Sequence, residues 1–83
     1  MYQFMASEVQ PMYKPGVVEV DVDRIKALRR KHVLTVRELA DKAGVSKTTI
    51  SNIENGQAEA YPSTIRKLAR ALEVEPSELV RGG

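Results

Sequence analysis

The sequence predicts a compact all-α domain of five short helices, preceded by an extended N-terminal arm that carries one candidate β-strand. Three observations lead there. Apolar residues recur at helical spacing from Val22 onward, in Val22, Ile25 and Leu28 and again in Ile65, Leu68, Ala69 and Leu72. Helix-starting residues (Thr35, Ser46, Pro62) and helix-stopping ones (Gly44, Gly56) alternate along the same stretch. Before residue 17 the helical period is absent, and Pro11, Pro15 and Gly16 break the chain. Residues 1–22 are therefore read as arm and candidate strand, and residues 23–81 as the helical domain.

The arm holds three of the four aromatic residues, Tyr2, Phe4 and Tyr13. After it, Val18-Glu19-Val20-Asp21-Val22 alternates apolar and acidic, the period of a half-buried strand. A lone strand leaves its backbone unpaired. Its partner would be the segment around Gln3–Val9, the same strand of a second copy, or another protein; a linker leading into a helix accounts for the pattern equally well. Helix 1 runs from about Asp21–Asp23, either aspartate serving as cap, to Lys31. Helix 2 follows Thr35, with Glu38 completing a capping box, and stops before Gly44. Helix 3 follows Ser46 and ends at Gly56. Helix 4 starts near Pro62, which has no N–H to lose in a first turn. Helix 5 starts at Pro76-Ser77 and includes Leu79 and Val80.

Composition narrows the function. Eighty-three residues allow one small domain, and with one Phe and no Trp its core must be aliphatic. The chain has no cysteine and a single histidine, His32, so no metal or cofactor is expected. His32 is read as a surface residue at a helix end. No Gly-rich phosphate loop or carboxylate pair suggests an enzyme. No apolar run approaches the ~18 residues of a membrane span, and no leader pattern opens the chain, so a cytoplasmic protein is expected. The net charge of +2 conceals an asymmetry: residues 1–23 carry one base and four acids, residues 24–83 twelve bases and seven acids. A basic domain is drawn to a polyanion, although a solvated basic surface would look the same.

The most informative stretch is 35–56. Two helices meeting tightly at a steep angle need a positive-φ residue in the turn, which Gly44 supplies. They need a small residue where they approach, at Ala40. They need apolar residues in the wedge, at Leu39, Ala43, Val45, Ile50 and Ile53. Together with the Ser46 cap, this set specifies a helix-turn-helix.

On these residues, and on Ile25-Lys26-Ala27-Leu28-Arg29, Leu34-Thr35, Glu38-Leu39-Ala40, Gly44-Val45-Ser46, Thr49-Ile50-Ser51, Ile53-Glu54-Asn55-Gly56 and Leu68-Ala69-Arg70-Ala71-Leu72, residues 23–80 resemble the phage-repressor and Cro-like (XRE-type) helix-turn-helix family. The resemblance implies a sequence-specific, double-stranded-DNA-binding transcriptional regulator, a repressor in the first instance. Helix 3 would lie in the major groove, with Lys47, Thr48, Ser51 and Asn52 as base-reading candidates. Lys47 would suit guanine, Asn52 adenine, and Thr48 a hydrogen bond or a thymine methyl. Thr35, Arg37, Ser46, Thr49 and Asn55 are the phosphate-binding candidates, helped by free N–H groups at the starts of helices 2 and 3. Ala40 and Gly44 build the motif, and Arg29 and Glu54 occupy positions that pair in many members.

Three positions depart from the family pattern. Val36 replaces a glutamine that anchors a phosphate, and Arg37 beside it is the candidate substitute. Glu59 stands in a loop that is often basic. Val33 stands where glycine is common at the end of helix 1; a β-branched residue resists positive φ, which predicts a different turn there.

The resemblance also implies a homodimer on a palindromic operator, with two recognition helices about 34 Å apart. Helix 5 or the N-terminal strand would form the dimer surface, and no separate dimerisation or effector domain is expected in this chain. A second reading is a protein-interaction module or antitoxin whose N-terminal arm binds a protein partner.

Overall fold

The computed structural model describes residues 16–81. The aromatic arm, the segment around Gln3–Val9 and any protein-binding role of that arm lie outside those residues. The described part holds four α-helices, α1 (Val22–Lys31), α2 (Val36–Ala43), α3 (Lys47–Glu54) and α4 (Pro62–Leu72), and two short strands, β1 (Val18–Glu19) and β2 (Glu59–Ala60). Among the described residues no helix is long and apolar enough to cross a membrane.

The start signals act as their chemistry requires. The Asp21 side chain accepts the Arg24 N–H at the head of α1. Thr35 and Glu38 form a reciprocal capping box on α2, and the Ser46 hydroxyl accepts the Thr49 N–H at α3. The expected fifth helix is a single 3₁₀ turn at Pro76–Leu79. Val80, next in line, is extended and bridges to Val20, so the turn has no room to propagate.

All four α-helices stop in the same way. A left-handed residue follows each, at Val33, Gly44, Gly56 and Glu73. The N–H after it reaches back to the carbonyl five residues earlier: Leu34 to Arg29, Val45 to Ala40, Gln57 to Asn52 and Val74 to Ala69. This is the Schellman closure, which satisfies carbonyls that a helix end leaves orphaned. Two of the four positions lack glycine. At Val33 the structure overturns the expectation of a different turn: φ is 56° despite the β-branch. The closing hydrogen bonds, together with the bond that the Arg29 guanidinium donates to the Leu34 carbonyl at 2.8 Å, hold the turn against its local preference.

Of the alternating segment only Val18–Glu19 is strand, with Val20 in an isolated bridge and Val22 already in α1, and the strand's partner is none of those considered from sequence. Residues Val18 and Glu19 of β1 pair antiparallel with Ala60 and Glu59 of β2, in the loop that follows α3. The Val20 N–H donates to Ala58 at 2.8 Å on that side. On the other side, the Asp21 N–H donates to Leu79 at 2.9 Å, and the Glu19 carbonyl accepts from Arg81 at 2.9 Å. Residues 18–21 therefore run centrally between the post-α3 loop and the C-terminal turn.

The core is aliphatic. Val20, Ile25, Leu39, Ile50, Ile53, Leu68, Leu72 and Leu79 are its largest fully buried side chains, and among the described residues no polar or charged residue joins them in the core. His32, read from sequence as a surface residue, is half-buried, and its Nε2 lies 2.9 Å from the Leu72 carbonyl. It tethers the end of α1 to the end of α4.

Candidate nucleic-acid interface

Gly44 takes φ 75°, ψ 31°, the left-handed conformation that turns the chain from α2 toward α3. Ala40 and Ala43 are buried where the two helices approach. Ile50 and Ile53 anchor α3 from below at essentially no exposure. Helical periodicity then fixes what points away. Thr48, Asn52 and Asn55 form one exposed row opposite the isoleucines. Lys47, exposed, and Ser51, half-buried, flank it on one side; Thr49, half-buried, flanks it on the other. The four candidate base-reading residues thus share one face, with Ser51 the least accessible.

The phosphate-binding candidates divide. Arg37 is exposed at the second position of α2, and Asn55 is exposed at the end of α3. Thr35, Ser46 and Thr49 are already engaged. The Thr35 hydroxyl accepts the Glu38 N–H at 3.0 Å, and the Ser46 and Thr49 hydroxyls share a hydrogen bond at 2.8 Å. Each hydroxyl oxygen keeps some capacity beyond these bonds. The helix starts are also partly occupied: the Glu38 carboxylate accepts the Thr35 N–H at 2.8 Å. That sets a negative charge at the α2 N-terminus, beside the N–H groups of Val36 and Arg37.

Arg29 and Glu54 form a two-bonded fork, Nε to Oε2 at 2.7 Å and Nη2 to Oε1 at 2.9 Å. Their side chains are 15% and 8% exposed, which screens the pair from water. Hydrogen bonding to Glu54 outweighs burial and raises the Arg29 pKa above its already high ordinary value. The pair locks the end of α3 to α1, and the Arg29–Leu34 bond extends that lock to the α1–α2 turn.

Beside the exposed row a cleft of about 350 Å³ opens between α3, the loop after it and the start of α4. Thr49, Asn52, Gln57, Tyr61, Thr64 and Val17 are among the residues that line it. Sequence reasoning passed over Gln57, Tyr61 and Thr64. A polar loop directly after α3 was their only signal, and Tyr61 is one of two large apolar side chains left exposed among the described residues.

The electrostatics of the flank are acidic. Glu19 and Glu59 are directly opposed across the β1–β2 pair. Because Val20 and Ala58 are hydrogen-bonded next to them, theirs is the closer, non-hydrogen-bonded pairing. At the far end of the domain Arg24 pairs with Glu78 at 2.7 Å, and that hydrogen bond holds the Glu78 carboxyl below its usual range.

Residues 25–79 match the helix-turn-helix family HTH_3. The chain is 47% identical over 53 residues to the HTH-type transcriptional repressor RghR of Bacillus subtilis (strain 168), a match covering 63% of this chain and 39% of the relative. Its fold is similar to that of SinR, a master regulator for biofilm formation solved in complex with DNA. That likeness has a TM-score of 0.65 at 33% identity and covers 68% of this chain and 90% of the chain in that structure. The P22 c2 repressor in complex with a synthetic operator is also similar, with a TM-score of 0.67 at 31% identity, covering 75% of this chain and 94% of the chain in that structure. This chain spans about two fifths of the length of the first curated relatives it matches, 39% and 42%. The matched residues take in α2, the Gly44 turn, α3 and α4 and leave β1 outside, and the chain belongs to the HTH_3 helix-turn-helix family.

Proposed function

We propose that this protein is a sequence-specific regulator of transcription, a repressor, that binds a palindromic duplex site as a homodimer in the cytoplasm. The observation that carries the reading is the exposed polar face of α3, with Lys47, Thr48 and Asn52 outward, on a helix anchored by Ile50 and Ile53. Two relatives of the same fold were solved on DNA, and another is named a repressor.

The mechanism follows from the side chains. Arg37 and Asn55, with the hydroxyls of Thr35, Ser46 and Thr49, grip phosphates and set the register. Lys47 then donates to guanine O6 or N7, Asn52 pairs with adenine through both amide atoms, and Thr48 meets a neighbouring base edge or methyl. Ser51, half-buried, contacts bases only at close approach. One helix reads few base pairs, so a second copy one turn away supplies the rest.

Selection of bound sequences from a random duplex library tests this directly. A palindrome with half-sites one or more whole turns apart is the expected result. Lack of enrichment at low salt, where phosphate attraction is strongest, would refute the reading.

A further inference from the structure

We infer that residues Val18–Asp21 act as a positioning strap for the DNA-facing side of the domain, holding the loop behind α3 in the pose that binds duplex DNA. The inference rests on the DNA-binding function proposed above and adds to it a stretch that precedes the matched helix-turn-helix residues.

The geometry is specific to that stretch. On one side its backbone holds the post-α3 loop, through the Val18–Ala60 pairing and the Val20–Ala58 hydrogen bond. On the other it holds the C-terminal turn, through Leu79 and Arg81. Val20 is fully buried and roots the strap in the core, and Asp21 caps α1. The loop it grips carries Gln57 and Glu59, which line one cleft with the base-reading candidate Asn52 and the phosphate candidate Thr49. Val17, at the leading end of the strap, lines the same cleft. Gly56, at φ 114°, begins that loop, and within it Gln57 and Glu59 are exposed. With the pairing lost, the loop would be held only at its two ends, by the α3 closure and the start of α4.

The experiment uses the full chain and the duplex selected above. Val18→Pro removes one N–H from the pairing with β2 while leaving the buried Val20 in place. The expected result is retained helical circular dichroism with at least tenfold weaker binding to the selected site. A covalent lock gives the converse. Glu19 and Glu59 are a non-hydrogen-bonded pair, with Cα atoms about 4.5 Å apart, within the range a disulfide spans. The chain has no cysteine of its own. In the triple variant Val18→Pro, Glu19→Cys, Glu59→Cys, oxidation should restore affinity to within about threefold of the oxidised double-cysteine protein, and reduction should abolish the gain.

A folded Val18→Pro protein that binds within twofold of wild type overturns the inference, as does a triple variant whose affinity ignores oxidation. A strap that only stabilised the fold would lower the melting temperature without changing the affinity of the folded protein. If Val18→Pro loses its helical signal, Ala60→Pro, which removes the facing N–H of the same hydrogen-bonded pair, replaces it in both arms and is read in the same way. Wild-type protein that binds no duplex overturns the DNA reading itself and this inference with it.

Discussion

Val33 sits in the left-handed region at φ 56°, with 85% of its surface exposed. The left-handed conformation costs an L-residue about 1–2 kcal/mol, and a β-branched one lies at the upper end of that range. Val33→Gly removes the clash. It gives back about 0.5–1 kcal/mol, because glycine has more freedom to lose on folding. So little of the side chain is buried that lost packing contributes almost nothing. The balance is a stabilisation of about 0.5–1 kcal/mol, which in a domain of this size raises the melting temperature by roughly 2–8 °C. Val33→Asn should gain a similar amount, since asparagine tolerates this conformation. Val33→Ala keeps the Cβ and should gain less than half as much. Thermal and urea unfolding followed by circular dichroism would resolve the series. The reasoning fails if the glycine variant melts at or below wild type, or if alanine stabilises as much as glycine.

Three further outcomes are expected. Lys47→Ala and Asn52→Ala should each cost about 1–3 kcal/mol on the selected site and far less on random duplex; equal losses on both, by fluorescence anisotropy, would remove them as base readers. Glu54→Ala strands the Arg29 guanidinium in a largely buried position and should destabilise the domain by about 3 kcal/mol, read as a shift in urea midpoint at unchanged m-value. Glu59→Lys replaces the repulsion with Glu19 by attraction, worth roughly 0.2–1 kcal/mol of stability, and adds a cation beside the proposed phosphate track, so the slope of log K against log salt should steepen by about one; an unchanged slope would place Glu59 away from DNA.

The elements that sequence made legible are those whose rules are local. Caps at Asp21, Thr35 and Ser46 need only the next three or four residues, and the Gly44 turn needs only a missing Cβ. The Arg29–Glu54 pairing spans twenty-five residues, and nothing local in the sequence announces it; it came from resemblance to a family, and the fork found here gives it a geometry. Where sequence reasoning failed, a tertiary contact outweighed a local preference. Val33 was expected to avoid positive φ, but closing hydrogen bonds and the Arg29–Leu34 bond hold it there. Helix 5 was expected from Pro76-Ser77, but the bridge from Val80 to Val20 draws the chain out after one 3₁₀ turn. His32 was expected at the surface, but a distant carbonyl at Leu72 holds it. The pairing of β1 with Glu59–Ala60 belongs to the same class, because two-residue strands leave no period to read in the second partner. The candidate DNA-contacting residues sit between these cases: their outward orientation on α3 was readable from helical spacing, whereas the engagement of the Thr35, Ser46 and Thr49 hydroxyls was not.

The acidic residues around the candidate interface bear on how such a protein would discriminate among sequences. Glu38 is held at the start of α2 by its own capping bond, where a phosphate would otherwise meet the helix dipole. Glu19 and Glu59 face one another beside the cleft next to Asn52. The like-charge pair disfavours its own strand pairing by at most about 1 kcal/mol, and buried Val20 with backbone bonds on both sides of the strap offsets it. For DNA the consequence is larger, because attraction to phosphates is what holds a protein on any sequence. Carboxylates on the flank weaken that uniform attraction at every site, matched or not, while leaving Lys47, Thr48 and Asn52 free to act on base edges. Under the proposed function, a smaller share of the binding energy is therefore indifferent to sequence. The strap sharpens this further, since it fixes where the Glu59 charge stands relative to Asn52. A folded protein with a loosened strap would lose contacts on the right site and shed part of its repulsion on all others, so its loss of specificity should exceed its loss of affinity for random duplex.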